Sequence, residues 1–143
     1  MNVETILRSK GSAVATVTPR TTIRDAAALL RRERIGALVV SGDHARVDGI
    51  LSERDIVHGL ADRGAALLDA TVDELMTRRV FTCTPLDSVG DLMAMMTERR
   101  IRHIPVLRDG MLAGIISIGD VVKHRIDQLQ FERDQLDSYV HRS

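Results

Sequence analysis

The sequence predicts an α+β chain, α/β-like in its local order, made of two β-α-β-β-α repeats related by a pseudo-two-fold and followed by a C-terminal helix. Three observations predict it. The chain matches itself when slid by 66 positions, which places Thr16, Thr18, Pro19, Asp25, Arg34, Ile35 and Val40 on Thr82, Thr84, Pro85, Asp91, Arg100, Ile101 and Val106. Within each copy, apolar runs too short for surface helices alternate with segments of helical periodicity. The heptapeptides GILSERD (49–55) and GIISIGD (114–120) then repeat one strand-to-helix junction, at an offset of 65. Two copies are too few for a solenoid and suit a face-to-face pair, each covering the other's apolar sheet surface.

The elements follow in order. VETIL (3–7) resembles VDELM (72–76), so each copy has a related entry segment. Residues 14–18 form a short strand that stops at the turn residue Pro19. Thr22 or Thr21 caps a helix whose Ile23, Ala26, Ala27, Leu30 and Arg34 keep helical spacing. IGALVV (35–40) is a buried strand, and the Gly- and Asp-rich stretch 41–49 is a hairpin-type connection. Residues 50–52 form the next strand, and a helix starts at Glu53. The second copy repeats the order: strand 80–84, helix 88–99, strand 101–107, an Arg-Asp-Gly turn, strand 112–117 and a helix from 119. The expected division is 1–70 for the first repeat, 71–125 for the second and 126–143 for the final helix. In that helix Ile126, Leu129, Leu136, Tyr139 and Val140 make an apolar stripe, with Phe131 off its centre.

Composition narrows the function. The chain has 143 residues, 44% of them hydrophobic, enough for one domain or two half-domains sharing a core. Its 2 Phe and 1 Tyr, with no Trp, leave little for stacking single-stranded nucleic acid. The 20 basic and 20 acidic residues cancel, and neither half carries the basic excess that phosphate-backbone binding needs. The single Cys83 excludes an intrachain disulfide and a multi-cysteine metal site, and suits a small buried hydrophobe in a reducing compartment. No His-x-x-x-His or Cys-x-x-Cys spacing points to a metal. No apolar run nears the ~20 residues of a membrane span, and no signal-peptide core opens the chain, so a cytoplasmic protein is expected.

The repeated junction carries the chemistry. Ser52 and Ser117 stand three residues before Asp55 and Asp120, close to a capping box, and this alone accounts for one copy. A two-fold pair would bring both junctions to one cleft. There a helix N-terminus is an anion site, and an ionised Asp can accept from the two adjacent hydroxyls of a ribose. The capping role and the ligand role are compatible.

The β-α-β-β-α repeat, the IGALVV/IRHIPV strand and the Gly-h-h-Ser-x-x-Asp junction (h, hydrophobic) together resemble a tandem pair of CBS domains, a Bateman module, over about residues 1–125. The short form with ISIGDVVK and a helical tail is similar to small stand-alone bacterial CBS-domain proteins. The resemblance implies that Asp55 and Asp120 hold ribose hydroxyls and that Ser52 and Ser117 help hold ribose or phosphate. It also implies that strand backbone meets the adenine and that basic side chains there approach phosphates. Gly36 and Ala37 would then leave room for an adenine edge, with Ile35 and Val17 as apolar walls. Arg102 and His103 would supply charge for the phosphates. Arg54 adds a forked contact beside Asp55, whereas Gly119 opens space beside Asp120. The expectation is one better site, formed by Asp120 with the Ile35–Ala37 strand, and a poorer one at Asp55.

The function expected is a non-enzymatic sensor of an adenine nucleotide (AMP, ADP, ATP or NAD(H)). It would be a homodimer acting on a separate, unknown protein, without nucleic acid or membrane partners. S-adenosylmethionine is a second ligand, disfavoured because it offers no phosphate to Arg102 or His103. A purely structural interaction module with an empty cleft is the alternative. Catalysis is disfavoured because no His is placed to activate Ser52 or Ser117 and no metal set replaces it.

Overall fold

The computed structural model describes residues 1–142. Helix α1 (Val3–Lys10) is capped by the Asn2 side chain and ends at Gly11, whose φ of +93° only glycine adopts readily. Strand β1 (Thr16–Val17) leads to α2 (Ile23–Glu33), where Thr22 rather than Thr21 is the cap, accepting from the Asp25 N–H. Strands β2 (Ala37–Val40) and β3 (Gly49–Ser52) and helix α3 (Glu53–Arg63) complete the first copy. Two 3-10 turns, Gly64–Asp69 and Val72–Glu74, connect it to α4 (Val89–Arg99), β4 (His103–Arg108), β5 (Met111–Ser117) and α5 (Ile118–Arg142).

The copies end their first helices alike. Arg34 and Arg100 both adopt the left-handed conformation at φ 55°, turning the chain into the following strand. In the first sheet the order is β1-β2-β3, with β1 parallel to β2 and β2 antiparallel to β3. In the second, β4 pairs antiparallel with β5 through a turn whose Asp109 and Gly110 both have positive φ, as an Asp-Gly two-residue hairpin requires.

The strand expected over 80–84 is not formed. Only Cys83 pairs, in parallel with β4, through its N–H to Pro105 O at 3.0 Å and the Leu107 N–H to its own carbonyl at 2.8 Å. The ladder stops there because the Thr84 N–H is taken by the Asp87 carboxylate and Pro85 has no N–H to give. The first copy's equivalent is likewise shorter than expected, two residues instead of five.

The two cores do not follow the repeats segment by segment. The first combines Ile23, Leu30, Leu38, Leu51 and Ile56 with Leu67, Val72 and Met76. The second combines Leu92, Met96, Ile104 and Ile116 with Val3, Ile6 and Leu7 from α1. Matching hydrogen bonds dock each entry segment. Val72 and Asp73 donate to Thr21 O and Pro19 O at 2.7 and 3.0 Å, and Val3 and Glu4 donate to Asp87 O and Pro85 O, both at 2.9 Å. The segment preceding the second copy therefore covers the first, and the segment preceding the first covers the second. This exchange ties the halves into one unit. It also delivers α1 to one strand-to-helix junction and residues 77–81 to the other.

Candidate functional site

Both junctions are capping boxes. The Ser52 N–H donates to Asp55 Oδ2 at 2.9 Å and the Asp55 N–H to Ser52 Oγ at 3.2 Å. In the second copy the Ser117 N–H donates to Asp120 Oδ2 at 2.8 Å and the Asp120 N–H to Ser117 Oγ at 3.1 Å. Each helix start is pinned in the same way to the residue that opens the middle strand of its own copy: the Glu53 N–H donates to Gly36 O at 2.9 Å and the Ile118 N–H to Arg102 O at 2.8 Å. The sequence thus places two helix N-termini, each with an ionisable carboxylate in its first turn, beside the start of a β-strand.

The surroundings of the two carboxylates differ. A cavity of about 260 Å³ opens at the first junction, where Ser52, Glu53, Arg54 and Asp55 face Arg100, Ile101, Arg102 and His103 from the other copy. Gly36, Ile50 and residues 77–81 close its sides through Thr77, Arg79, Val80 and Phe81. Four arginines against two carboxylates leave the wall positive. The Arg99 guanidinium carbon lies over the Phe81 ring at 4.9 Å from its centroid, and that of Arg79 lies over it at 5.9 Å. Among the described residues Asp55 forms no ion pair, so its carboxylate is engaged only by its own cap.

At the second junction α1 brings a cation. Lys10 Nζ donates to Asp120 Oδ2 at 2.5 Å and to Ile115 O at 2.8 Å. Burial works to raise the Asp120 carboxyl, but the Lys10 ammonium and the Ser117 N–H outweigh it and hold the group below the ordinary carboxylate value. His103 lies between the two junctions. Burial pushes its pKa below the ordinary imidazole value, offset in part by Glu53 and reinforced by Lys10. A Cβ added at Gly36 would lie 3.3 Å from His103 Cε1, so the glycine is what lets the imidazole approach that strand.

Of the residues expected from sequence, Gly36, Ser52, Arg54, Asp55, Arg102 and His103 line this cavity. Ile35 sits on the neighbouring groove between α2 and α3, which shares Gly36. Val17 is not a wall: it is 7% exposed and packs in the first core, because the strand's alternation turns it towards α2. Ala37 is buried at 5% exposure and also lies off the cavity wall. Ser117, Gly119 and Asp120 belong to the junction that Lys10 fills. The cavity therefore gathers around Asp55, not around Asp120 with the Ile35–Ala37 strand, because α1 delivers a lysine to the second junction and none reaches the first. Sequence reasoning missed Thr77 and Arg79, which lie where the internal repeat loses its register, and Val80 and Phe81, which the 66-residue offset maps onto Val14 and Ala15. It also missed Ile101, which the 66-residue offset maps onto Ile35. Cys83 is buried and its thiol is pushed up to about 12, first by desolvation and then by Asp87, which makes it a packing residue and a poor nucleophile. No cluster of three metal-ligating side chains occurs among the described residues, and no helix among them is long and apolar enough to cross a membrane.

Two interlocked α+β repeats with a small positive cavity at a capped helix start define a paired ligand-module architecture. The CBS domain family model matches residues 6–62 and again 72–127. The chain belongs to the CBS-domain family and carries two copies. A CBS-domain-containing protein of Agrobacterium tumefaciens is 46% identical, with a TM-score of 0.84 over 87% of this chain and 99% of that one. The CBS domain pair of protein MJ0100, solved in complex with 5′-methylthioadenosine and S-adenosyl-L-methionine, is 26% identical with a TM-score of 0.80 over 90% of this chain and 98% of that one. A CBS domain protein of Pyrobaculum aerophilum complexed with AMP is 28% identical, with a TM-score of 0.75 over 84% of this chain and 89% of that one.

Proposed function

We propose that the chain is a non-enzymatic regulatory module that senses a phosphorylated adenine nucleoside, in the class of AMP, ADP, ATP or NAD(H), and passes the signal to a separate protein. One observation carries the reading: a single cavity joins the Ser52–Asp55 junction to Arg54, Arg79, Arg100, Arg102 and His103. Asp55 is the acceptor for ribose hydroxyls. Its helix N-terminus and the arginine forks take the phosphate oxygens, which a planar guanidinium binds in pairs. Phe81, Val80, Ile50 and Ile101 provide the apolar surface for the base. The likeness to a family member complexed with AMP supports this class of ligand.

The Asp120 junction is the weaker of the two in this reading, since a ligand there must compete with Lys10 for the carboxylate. S-adenosylmethionine, present in another relative's complex, is the second reading. Its sulfonium cation would enter a wall with an excess of arginine, so it binds this chain less well than a phosphorylated ligand of similar size. Signalling further requires that the nucleotide prefer one arrangement of the halves over another, because equal affinity for both shifts nothing.

The test is calorimetric titration of ligand-free protein with AMP, ADP, ATP, NAD, NADH and S-adenosylmethionine at low and physiological salt. The expected result is saturable binding of at least one phosphorylated ligand, weakened by salt and at least about tenfold tighter than S-adenosylmethionine. Tighter binding of S-adenosylmethionine would overturn the ligand class, and no binding of any would leave the structural interaction module.

A further inference from the structure

The two entry segments are seated alike up to one residue and then part. Leu7 packs over Gly114 as Met76 packs over Gly49: a Cβ added to either glycine would meet that side chain at 2.6 or 2.7 Å. After Met76 the chain turns at once into a bridge with β3. There the Thr77 N–H donates to Ile50 O at 2.9 Å and the Ile50 N–H to Thr77 O at 3.0 Å. After Leu7 the first copy holds three residues more than the second, Arg8, Ser9 and Lys10, and they lengthen α1 by most of a turn before Gly11.

Gly11 is the residue that the 66-residue offset maps onto Thr77, and Ile115 is the counterpart of Ile50 at an offset of 65. No backbone group bridges to Ile115 on that edge among the described residues, and the Gly11 N–H stays with the helix, on Leu7 O at 2.8 Å. The Lys10 ammonium stands in for the missing bridge. It donates to Ile115 O at 2.8 Å, as the Thr77 N–H does to Ile50 O, and to Asp120 Oδ2 at 2.5 Å. One side chain thus closes the strand edge and covers the carboxylate whose counterpart, Asp55, lines an open cavity. The other surroundings differ as well. By the same offsets Gly119 stands for Arg54, Ala13 for Arg79 and Gly36 for Arg102, so three of the first cavity's four guanidinia have no counterpart. What the second junction keeps is a carboxylate placed for a ribose diol, without the forks that grip a phosphate.

We propose that Arg8, Ser9 and Lys10 are a built-in plug on a second site, for a nucleoside held by its sugar, which opens when the last turn of α1 gives way and Gly11 bridges to Ile115. The inference rests on the ribose role given above to the first Ser-x-x-Asp junction. Because the plug is part of the chain, the apparent affinity of the second site is reduced by the fraction of molecules in which the turn has let go. The Asp55 cavity therefore fills first, and filling of the second site is tied to a change at the end of α1.

Calorimetric titration of the full chain with AMP and with adenosine tests this, beside Lys10→Ala, Lys10→Ala with Asp120→Asn, and a variant lacking residues 8–10. The wild type is expected to bind one AMP per chain, and Lys10→Ala and the deletion two. The second site should be at least about tenfold weaker than the first for AMP and should take adenosine equally well. Adding Asp120→Asn to Lys10→Ala should return the stoichiometry to one. Hydrogen exchange without ligand is the independent readout: the deletion should slow the Ile115 amide at least about tenfold, towards the rate of Ile50. A stoichiometry that Lys10→Ala leaves unchanged would overturn the plug, whether or not the deletion variant folds, and so would two equal sites in the wild type. An Ile115 amide no slower in the folded deletion variant would overturn the Gly11 bridge. Should the wild type bind no AMP, the reading of the Asp55 cavity falls, and adenosine binding gained or not gained by Lys10→Ala still decides the plug.

Discussion

Replacing Lys10 by methionine keeps the alkyl chain and removes the ammonium that joins α1 to the second junction. The wild-type group makes two contacts, to Asp120 Oδ2 at 2.5 Å and to Ile115 O at 2.8 Å, with the Lys10 and Asp120 side chains 30% and 22% accessible. An exposed ion pair contributes ~0–1 kcal/mol and a hydrogen bond to a charged group ~1.5–3, so this half-buried pair contributes about 1–2 kcal/mol. For a chain of this length the loss lowers Tm by roughly 3–8 °C. The dependence on pH separates charge from packing. The Asp120 carboxyl is held below its ordinary value of 3.8 in the folded state, so the unfolded chain takes up the proton first as pH falls. The pair's contribution is complete above 3.8 and disappears as pH falls through the lower, folded value. Thermal unfolding followed by circular dichroism should show the full gap between wild type and Lys10→Met at neutral pH. The gap should narrow progressively in acid below 3.8. A gap of constant size would show that Lys10 stabilises through its hydrogen bond to Ile115 O and not through Asp120, and the electrostatic account of the second junction would fall.

Two further outcomes follow from the cavity. His103 has a lowered pKa because it is buried, so an anion beside it favours the protonated ring, and binding should take up a proton. Titrations should show affinity for a phosphorylated ligand rising as pH falls below 6.5, a rise that His103→Gln abolishes; parallel curves for both proteins would remove His103 from the phosphate contacts. Gly49→Ala would set a Cβ 2.9 Å from the Thr77 carbonyl and 2.7 Å from Met76 Sδ, against the pairing of Ile50 with Thr77 that closes one side of the cavity. About 1–3 kcal/mol of destabilisation is expected by chemical denaturation, and an unchanged midpoint would show that this wall yields easily.

Much of this was legible because the chain repeats itself. The offset that aligns Pro19 with Pro85 and Arg34 with Arg100 carries the fold, down to the left-handed residue that ends each first helix. The two Ser-x-x-Asp junctions were legible for the same reason, since a capping box is a local pattern. What the repeat hid is what breaks its symmetry. VETIL and VDELM align, but only tertiary packing decides that Val72 docks on Thr21 and Val3 on Asp87, each in the opposite copy. That exchange carries Lys10 to Asp120 across a separation of 110 residues, which no local pattern reports. It also carries Phe81 and Arg79 to Asp55. The strand expected at 80–84 and the wall expected from Val17 failed for related reasons. Alternating apolar residues read as strand or cleft, while Pro85 ends the pairing and the pleat turns Val17 inward.

The measurement closest to the central claim is calorimetric binding of AMP to the wild type, to Asp55→Asn and to Asp120→Asn. Asparagine keeps an acceptor for each cap while removing the charge that grips a ribose diol. With the nucleotide held at the Asp55 side, Asp55→Asn should lose at least about tenfold in affinity, worth about 1.4 kcal/mol, while Asp120→Asn binds as the wild type does. A loss confined to Asp120→Asn would contradict the account and move the ligand to the junction that Lys10 occupies.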